Sequence, residues 1–428
     1  MEKFDAIVVG AGPAGCAAAY TMAKAGLTVL VLERGKYTGA KNMWGGAFFG
    51  PVMGEIFPEF RKEAPVERFI NRHIISFMTK EDCLSIDFKS YHGDEGSSPG
   101  FIMLRAKFDR WMSTKVEQAG AILATGLEVT DFIFDGSRVA GVKVGTEEFP
   151  GNVVILTDGA NSLLAKKAGL RDDYKAPDLK QGVKEIIKLP REVIEDRFGV
   201  SGSEGVVMEF VGACTKGLPG GGFIYTNQES LSVGVVVQLS ALLENNVKAS
   251  DLIEDFKEHP SVRPLIRNGE TVEYSAHLIP VSGVAMMPRL YSGGILVAGD
   301  AAAMVLGTGL ILEGANLAMA AGIAAGNTVI GAKALNDFSA LALSQYESLL
   351  KESFVMKDLQ TFRRAPHFLE NPRIYNDYPE WTCAMMRGIF NSTGKARRNI
   401  LEVVKESMKG KIGLMQLVGD TLKARKAI

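Results

Sequence analysis

The stretch that decides the fold is FDAIVVGAGPAG at residues 4–15, which is followed by a helix-forming segment and by TVLVLER at 28–34. The apolar run at its start has the composition of a short strand buried on both faces of a parallel sheet. A glycine turn, a helix and a second apolar strand come next. This order of elements predicts a dinucleotide-binding unit of the Rossmann type.

The glycine turn GAGPAG assigns a separate task to each glycine. Gly10 permits the tight turn, Gly12 lets the backbone approach a pyrophosphate, and Gly15 lets the helix lie close to the sheet. Pro13 and Ala14 complete the motif at the start of the helix, where free backbone amides favour the negative charge of a phosphate. We therefore expect all five residues to contribute to a cofactor site.

An acidic residue ends the second strand. Glu33 is placed where a carboxylate binds the ribose hydroxyls of an adenosine, and Arg34 follows it directly. A lone GxGxxG is weak evidence, but this one lies between a strand and a helix with an acid at the required distance. NAD and FAD both use this unit, so the choice between them depends on later segments.

Two later apolar strands also end in an acidic turn that leads into a helix. Asp158 and Gly159 lie in TDGANS, and Gly299 and Asp300 lie in GILVAGDAA. We expect Asp300 to contact the ribityl or pyrophosphate region of an extended flavin.

The segment LGTGLILEGANLAMAAG at 306–322 contains Gly309 and Leu310 and predicts a glycine turn and a helix start at the isoalloxazine position. A helix N-terminus there would stabilise negative charge on the reduced ring. Three such segments, at the start, middle and end of one domain, indicate FAD rather than NAD.

Composition limits the other possibilities. The chain of 428 residues is 46% hydrophobic and 23% charged, with a formal net charge of −1, so we expect a globular protein and no nucleic-acid partner. Four scattered cysteines without a CxxC pair, and five histidines without metal-ligand spacing, predict no disulfide framework and no metal site. The histidines are expected to be surface or structural. The stretch 314–332 is apolar but rich in Gly and Ala, which favours a buried helix over a membrane span.

The order of the patterns predicts an α/β protein with three parts. Residues 1–170 and 281–335 are expected to form an FAD-binding Rossmann-like domain, with a small β excursion about 70–103. Residues 171–280 are expected to form an inserted antiparallel β-sheet substrate domain, and residues 336–428 a helical C-terminal region for partner or membrane contact.

A glycine-rich segment of the insertion is the candidate substrate site. Gly220, Gly221 and Gly222 allow close backbone approach, and the rings of Phe223 and Tyr225 can line a flat apolar slot. The alternative is a glycine turn followed by an ordinary core strand, and the residues alone leave both open.

Together, GAGPAG, Glu33-Arg34, LRAKFDRWM at 104–112, TDGANS and GDAA resemble the glutathione-reductase-2 type of flavoprotein. That group includes geranylgeranyl reductases, aromatic hydroxylases and electron transfer flavoprotein:quinone oxidoreductases. GAKNMWGG at 39–46, GGGFIYTNQESLSVGVVVQL at 220–239 and HLIPVSG at 277–283 are similar to the FixC branch of the quinone oxidoreductases. The resemblance covers nearly the whole chain.

The resemblance implies further FAD contacts, which are Lys41, Asn42, Gly45 and Gly46 on the loop after the second strand, Arg105 at the pyrophosphate and the backbone of Val129 at the adenine. It also implies that the slot at Gly221, Gly222, Phe223 and Tyr225 takes a quinone ring. No acid–base triad is needed, because the flavin carries the redox step.

The activity implied by the resemblance is electron transfer through FAD to a membrane quinone. The electrons would come from the alpha and beta subunits of an electron transfer flavoprotein through a small ferredoxin-like [4Fe–4S] subunit, in a FixABCX-type electron-bifurcating complex. Only Cys383 lies beyond residue 214, so this chain cannot hold the cluster itself. The rivals are a prenyl reductase of the geranylgeranyl type, a monooxygenase and a flavin-containing structural subunit. The run GDAAAMVLGTG lacks the His and Pro usual in aromatic hydroxylases, which weakens the monooxygenase.

The last 34 residues carry a basic, amphipathic pattern. Residues 395–428 contain nine Lys/Arg and three Asp/Glu, with apolar residues interleaved. Such a segment can lie on an anionic membrane surface, which would place the protein peripherally on the cytoplasmic side. A helix docked on a partner or on this chain fits the pattern equally well.

Overall fold

The structure, a computed structural model, describes residues 3–40, 46–91, 100–392, 394 and 396–428. Its strands are β1 (Phe4–Val9), β2 (Val29–Glu33), β3 (Ala47–Phe49), β4 (Val66–Met78), β5 (Cys83–Lys89), β6 (Gly100–Met103), β7 (Ile122–Thr125), β8 (Asp131–Asp135), β9 (Arg138–Val144), β10 (Glu147–Leu156), β11 (Leu179–Lys188), β12 (Glu204–Gly212), β13 (Gly220–Thr226), β14 (Ser230–Gln238), β15 (Glu270–Pro280), β16 (Tyr291–Ser292), β17 (Ile295–Val297), β18 (Leu306–Gly307) and β19 (Leu312–Glu313). Its α-helices are α1 (Pro13–Lys24), α2 (Val52–Ile56), α3 (Phe60–Glu63), α4 (Arg105–Gln118), α5 (Leu163–Lys167), α6 (Arg191–Phe198), α7 (Leu239–Asn245), α8 (Ala249–Glu258), α9 (Arg263–Ile266), α10 (Ala315–Leu335), α11 (Ala340–Leu343), α12 (Gln345–Glu352), α13 (Phe354–Thr361), α14 (Ala365–Phe368), α15 (Asp377–Phe390), α16 (Ile400–Met408) and α17 (Leu414–Ala427).

The first sheet is the Rossmann-like sheet that the opening residues predict. Its strand order is β16-β17-β10-β1-β2-β7, and β17, β10, β1, β2 and β7 run parallel. All five residues of β2 are buried, which agrees with an apolar run covered on both faces. An antiparallel extension of β8, β9 and the first half of β10 continues from this sheet.

Helices α1 and α10 pack closely against each other beside this sheet. A Cβ on Gly322 would lie 2.1 Å from the carbonyl oxygen of Ala14, and one on Gly326 would lie 3.0 Å from that of Ala18. Among the described residues one helix, α10, is long and apolar enough to cross a membrane, but 67% of its apolar window is buried inside the protein. The prediction of a buried helix from the Gly and Ala content is therefore confirmed.

The second sheet combines two separate stretches of sequence. Its order is β15-β11-β14-β13-β12-β4-β6-β3, with β5 paired to β4. All its neighbours are antiparallel except β12 and β4, whose parallel register runs from Glu204 opposite Phe69 to Gly212 opposite Met78. This pair makes the sheet mixed and joins the β excursion to the insertion.

The two faces of the second sheet have different chemistry. One face packs on α6 and α8 through an apolar core that includes Phe210, Val235 and Phe256. Since side chains alternate along a strand, residues of the opposite parity point the other way. In β12 and β13 these are Glu209, Phe223 and Tyr225, and they lie on the side that faces the first sheet.

Candidate cofactor and substrate cavity

A cavity of about 590 Å³ lies between the two sheets and brings most of the predicted site residues together. The predicted residues that line it are Gly10, Gly12, Pro13, Ala14, Glu33, Arg34, Gly46, Arg105, Val129, Asp158, Gly159, Gly221, Gly222, Phe223, Tyr225, Asp300, Gly309 and Leu310. Gly15 and Gly299 are not among the lining residues. Lys41, Asn42 and Gly45 lie outside the described residues.

The glycine turn is closed by contacts that leave no room for a side chain. Gly10 has φ +100°, and a Cβ there would lie 2.5 Å from the carbonyl oxygen of Thr157. A Cβ on Gly15 would lie 2.0 Å from the carbonyl oxygen of Gly10. The Thr157 hydroxyl donates to the carbonyl oxygens of Val9 and Gly10, at 2.9 and 2.8 Å. The turn is thereby fixed to the end of the neighbouring strand β10.

Glu33 holds the turn from the other side. Its Oε2 accepts a hydrogen bond from the amide of Ala11 at 3.0 Å, and its Oε1 accepts one from Gly35 at 2.7 Å. Helix α1 begins after Gly12 without a side-chain cap or an acidic residue in its first turn. The amides at this helix start are therefore suited to an anionic ligand.

A buried ion pair fixes the orientation of Arg105 in the cavity wall. Its Nε and Nη2 donate to the two carboxylate oxygens of Asp109, at 2.7 and 2.6 Å, one helical turn along α4. The carboxylate of Asp109 is fully buried, so this bidentate pair restrains the guanidinium. Asp109 was not among the residues predicted from the sequence, although its i,i+4 spacing from Arg105 was visible.

Two carboxyl groups at strand ends are pushed towards their neutral forms. Burial raises the pKa of Asp158 to about 6, although the Ser162 hydroxyl donates to it at 3.1 Å. Burial also raises the pKa of Asp300, while the nearby imidazole of His277 acts against that shift. Burial lowers the pKa of His277. His277, expected to be a surface or structural histidine, thus lines the cavity and faces Asp300 from the second sheet.

The two rings predicted to form the aromatic slot lie together in the cavity wall, and the neighbouring glycines have different tasks. The rings of Phe223 and Tyr225 are stacked, with centroids 4.8 Å apart and planes 25° apart. A Cβ on Gly234 of β14 would lie 2.4 Å from the Phe223 ring, so this glycine lets the ring lie on the sheet. A Cβ on Gly222 would lie 2.9 Å from the ring of Phe256, which means that Gly222 makes room in the core behind the slot. Gly221 belongs to the cavity face.

The chain is similar to known proteins over its whole length. Three family models match the chain: the ETF-QO/FixC family C-terminal domain at residues 365–428, the ubiquinone-binding domain of ETF-QO at 180–279, and glucose inhibited division protein A at 5–193. The probable electron transfer flavoprotein-quinone oxidoreductase YdiS of Escherichia coli K12 is 42% identical over 427 residues, covering 100% of this chain and 99% of YdiS.

Two other curated relatives are similar over their full length. Protein FixC of Escherichia coli K12 is 41% identical, covering 99% of this chain and 98% of its own. Protein FixC of Bradyrhizobium diazoefficiens is 39% identical, covering 100% of this chain and 99% of its own. The chain belongs to the ETF-QO/FixC family.

Solved structures place this FixC-family chain in a wider fold class. A geranylgeranyl bacteriochlorophyll reductase-like protein from Thermoplasma acidophilum superposes with a TM-score of 0.75 at 19% identity, covering 99% of this chain and 100% of that one. The flavin-dependent brominase Bmp2 gives 0.64 at 16% identity, with coverage of 99% and 98%. At these identities the likeness concerns the fold alone, and it confirms the predicted α/β class.

The FixC-family chain is an FAD-dependent oxidoreductase. The described cavity fits that cofactor for two reasons. The start of α1 has no side-chain cap and its glycines leave room for a ligand beside the backbone, and the two stacked rings lie in the same cavity. When bound, FAD supplies the capacity to accept and release electrons. We propose that the turn at Gly10–Gly15 and Glu33 hold its adenosine and pyrophosphate, with Arg105 adding positive charge.

Gly10→Ala should lower FAD affinity by at least about tenfold, because the added methyl group collides with the Thr157 carbonyl. The measurement is the flavin-to-protein ratio after purification, followed by FAD titration. Gly120→Ala is the matched control, since Gly120 has φ +102° and no atom within 4 Å of its would-be Cβ. It carries the same backbone strain and should retain FAD. Equal FAD affinity in both variants would contradict the assignment.

Proposed function

We propose that this chain passes electrons from its FAD to a quinone whose ring lies against Phe223 and Tyr225. The observation that supports this most strongly is that the aromatic slot opens into the same cavity as the glycine turn and Arg105. A flat apolar ring can stack on the pair of aromatic rings, which lie against glycines of the sheet. The names of the similar proteins, electron transfer flavoprotein-quinone oxidoreductase and ubiquinone-binding domain, point to the same acceptor.

The proposal includes electron donors outside this chain. The four free cysteines, Cys16, Cys83, Cys214 and Cys383, lie in different elements, and no group of metal ligands occurs among the residues that the structure describes. Burial raises the pKa of Cys214 to about 12, which disfavours the thiolate that a cluster needs. We therefore assign the [4Fe–4S] cluster to a small ferredoxin-like partner. The electrons would enter from the alpha and beta subunits of an electron transfer flavoprotein, in a FixABCX-type electron-bifurcating complex.

The proposal also places the protein at a membrane surface, and the last helix supports this. Asp420 accepts hydrogen bonds from Arg373 at 2.7 and 2.6 Å and from the Tyr378 hydroxyl at 2.9 Å, which fixes one face of α17 to the protein. Opposite this anchor, apolar side chains are exposed, which are Leu414, Met415, Val418 and Leu422. Lys423, Arg425 and Lys426 follow in the same helix. We infer that this face lies peripherally on an anionic membrane, on the cytoplasmic side.

Replacing Met415 and Val418 together by Glu should weaken binding to phosphatidylglycerol vesicles by at least about tenfold, because two apolar contacts are lost and two negative charges are added beside an anionic surface. Co-sedimentation of the FAD-loaded protein measures this. Leu341→Glu is the control, since Leu341 is 83% exposed on α11 and Met415 is 86% exposed. Failure of the wild-type protein to co-sediment with these vesicles would contradict the membrane assignment.

Anaerobic stopped-flow tests the electron acceptor. Purified chain is reduced with dithionite and mixed with a soluble menaquinone analogue or with a polyprenyl alkene. We expect fast flavin reoxidation by the quinone and none by the alkene, because the slot accommodates a flat ring and the reaction needs no partner subunit. Reoxidation by the alkene alone would establish a prenyl reductase, and a stable oxygen adduct after mixing with air would favour a monooxygenase.

A further inference from the structure

An acidic side chain lies beside the aromatic slot. Glu209 of β12 lies directly opposite Phe223 of β13 in the antiparallel register. Cβ atoms of such directly opposite residues are about 5 Å apart and their side chains share one face of the sheet. Glu209 therefore stands beside Phe223 on the face that carries Tyr225, and it lines the same cavity.

The environment of Glu209 is unusual for a carboxyl group. It is half-buried, and no described residue forms a hydrogen bond or ion pair with its carboxyl. Burial raises its pKa to about 7. A structural carboxylate would be expected to have a cationic or amide partner, as Asp109 and Asp420 have. A neutral, donating acid at the edge of a substrate slot needs no such partner.

Quinone reduction requires protons as well as electrons. Each quinone takes up one electron pair, supplied by the reduced cofactor, and two protons, and it becomes a quinol. We propose that Glu209 is the catalytic acid that donates one of these protons to a quinone oxygen, an inference that rests on the proposed function. The carboxyl O–H bond breaks, an O–H bond forms on the quinone, and the second proton comes from water. The Glu209 carboxylate then regains its proton from water, which reaches this half-buried side chain through the cavity.

Other titratable groups on the elements around the cavity set the pH window of the test. They are Tyr225 on β13, Lys180 and Lys184 on β11, His277 on β15, Arg105 on α4, and Asp158 and Asp300 at strand ends of the first sheet. Burial lowers the pKa of both lysines to about 8, so they remain mostly protonated between pH 6 and 7.5, and it raises the pKa of Tyr225, so this phenol stays neutral there. Burial lowers the pKa of His277, which favours its neutral form. Asp158, with a pKa of about 6, titrates at the lower edge of this window, and Glu209 is the group expected to have its midpoint near pH 7.

The test compares Glu209→Gln with wild type, both loaded with FAD. Glutamine keeps the shape but has no proton to give, so kcat for quinone should fall roughly 10²-fold while KM changes little. Wild-type kcat should decline as pH rises through about 7, and this decline should be absent from the variant. Electron transfer to ferricenium, which takes up no proton, should be unchanged in the variant. Glu229→Gln, an exposed position in the β13–β14 turn, should behave as wild type throughout.

An infrared titration gives a readout that does not depend on turnover. The carboxylic acid C=O band of the FAD-loaded protein should contain a component that disappears with a midpoint near pH 7 and is missing in Glu209→Gln. A variant with the wild-type kcat, pH profile and infrared titration would overturn the proton-donor role alone. Wild-type protein that cannot reduce quinone at all would instead overturn the proposed function, and the proton-donor role with it.

Discussion

The close approach between the glycine turn and strand β10 is the constraint on which the rest of this structure depends. Because Gly10 has no side chain, its backbone meets the Thr157 carbonyl, and the Thr157 hydroxyl bonds back to the turn. The start of α1, the Glu33 carboxylate and Asp158, the residue after Thr157, are consequently held around one space. A side chain at Gly10 would move all of them, because the interior is too closely packed to absorb it.

The second sheet forms the opposite wall of that space and contributes aromatic and ionisable side chains to it. Because Gly222 has no side chain, Phe256 packs against the sheet on the face away from the cavity. Because Gly234 has none, the Phe223 ring lies against the sheet on the cavity face. The ionisable side chains on the cavity face are desolvated, which moves the pKa values of Lys180 and Glu209 towards neutrality. A site that handles both electrons and protons needs groups of this kind.

Local patterns in the sequence were sufficient for the Rossmann-like sheet, because the strand–glycine turn–helix signal lies within about thirty residues. The strands of the insertion were also predicted, and most of the proposed site residues do line one cavity. The pairing of β4 with β12 could not be predicted, since it joins residues more than 130 positions apart and leaves no periodic signal. His277 and Glu209 were missed for the same reason, because their significance depends on which residues face them across strands and sheets.

Photo-crosslinking with an azidoquinone is the most direct test of whether the quinone binds in the same cavity as the cofactor. The FAD-loaded protein would be labelled with and without excess unlabelled quinone, and the modified peptides identified by mass spectrometry. We expect competable label on the segment of β13 that contains Phe223 and Tyr225. Competable label confined to residues that do not line the cavity, with this segment unmodified, would contradict it.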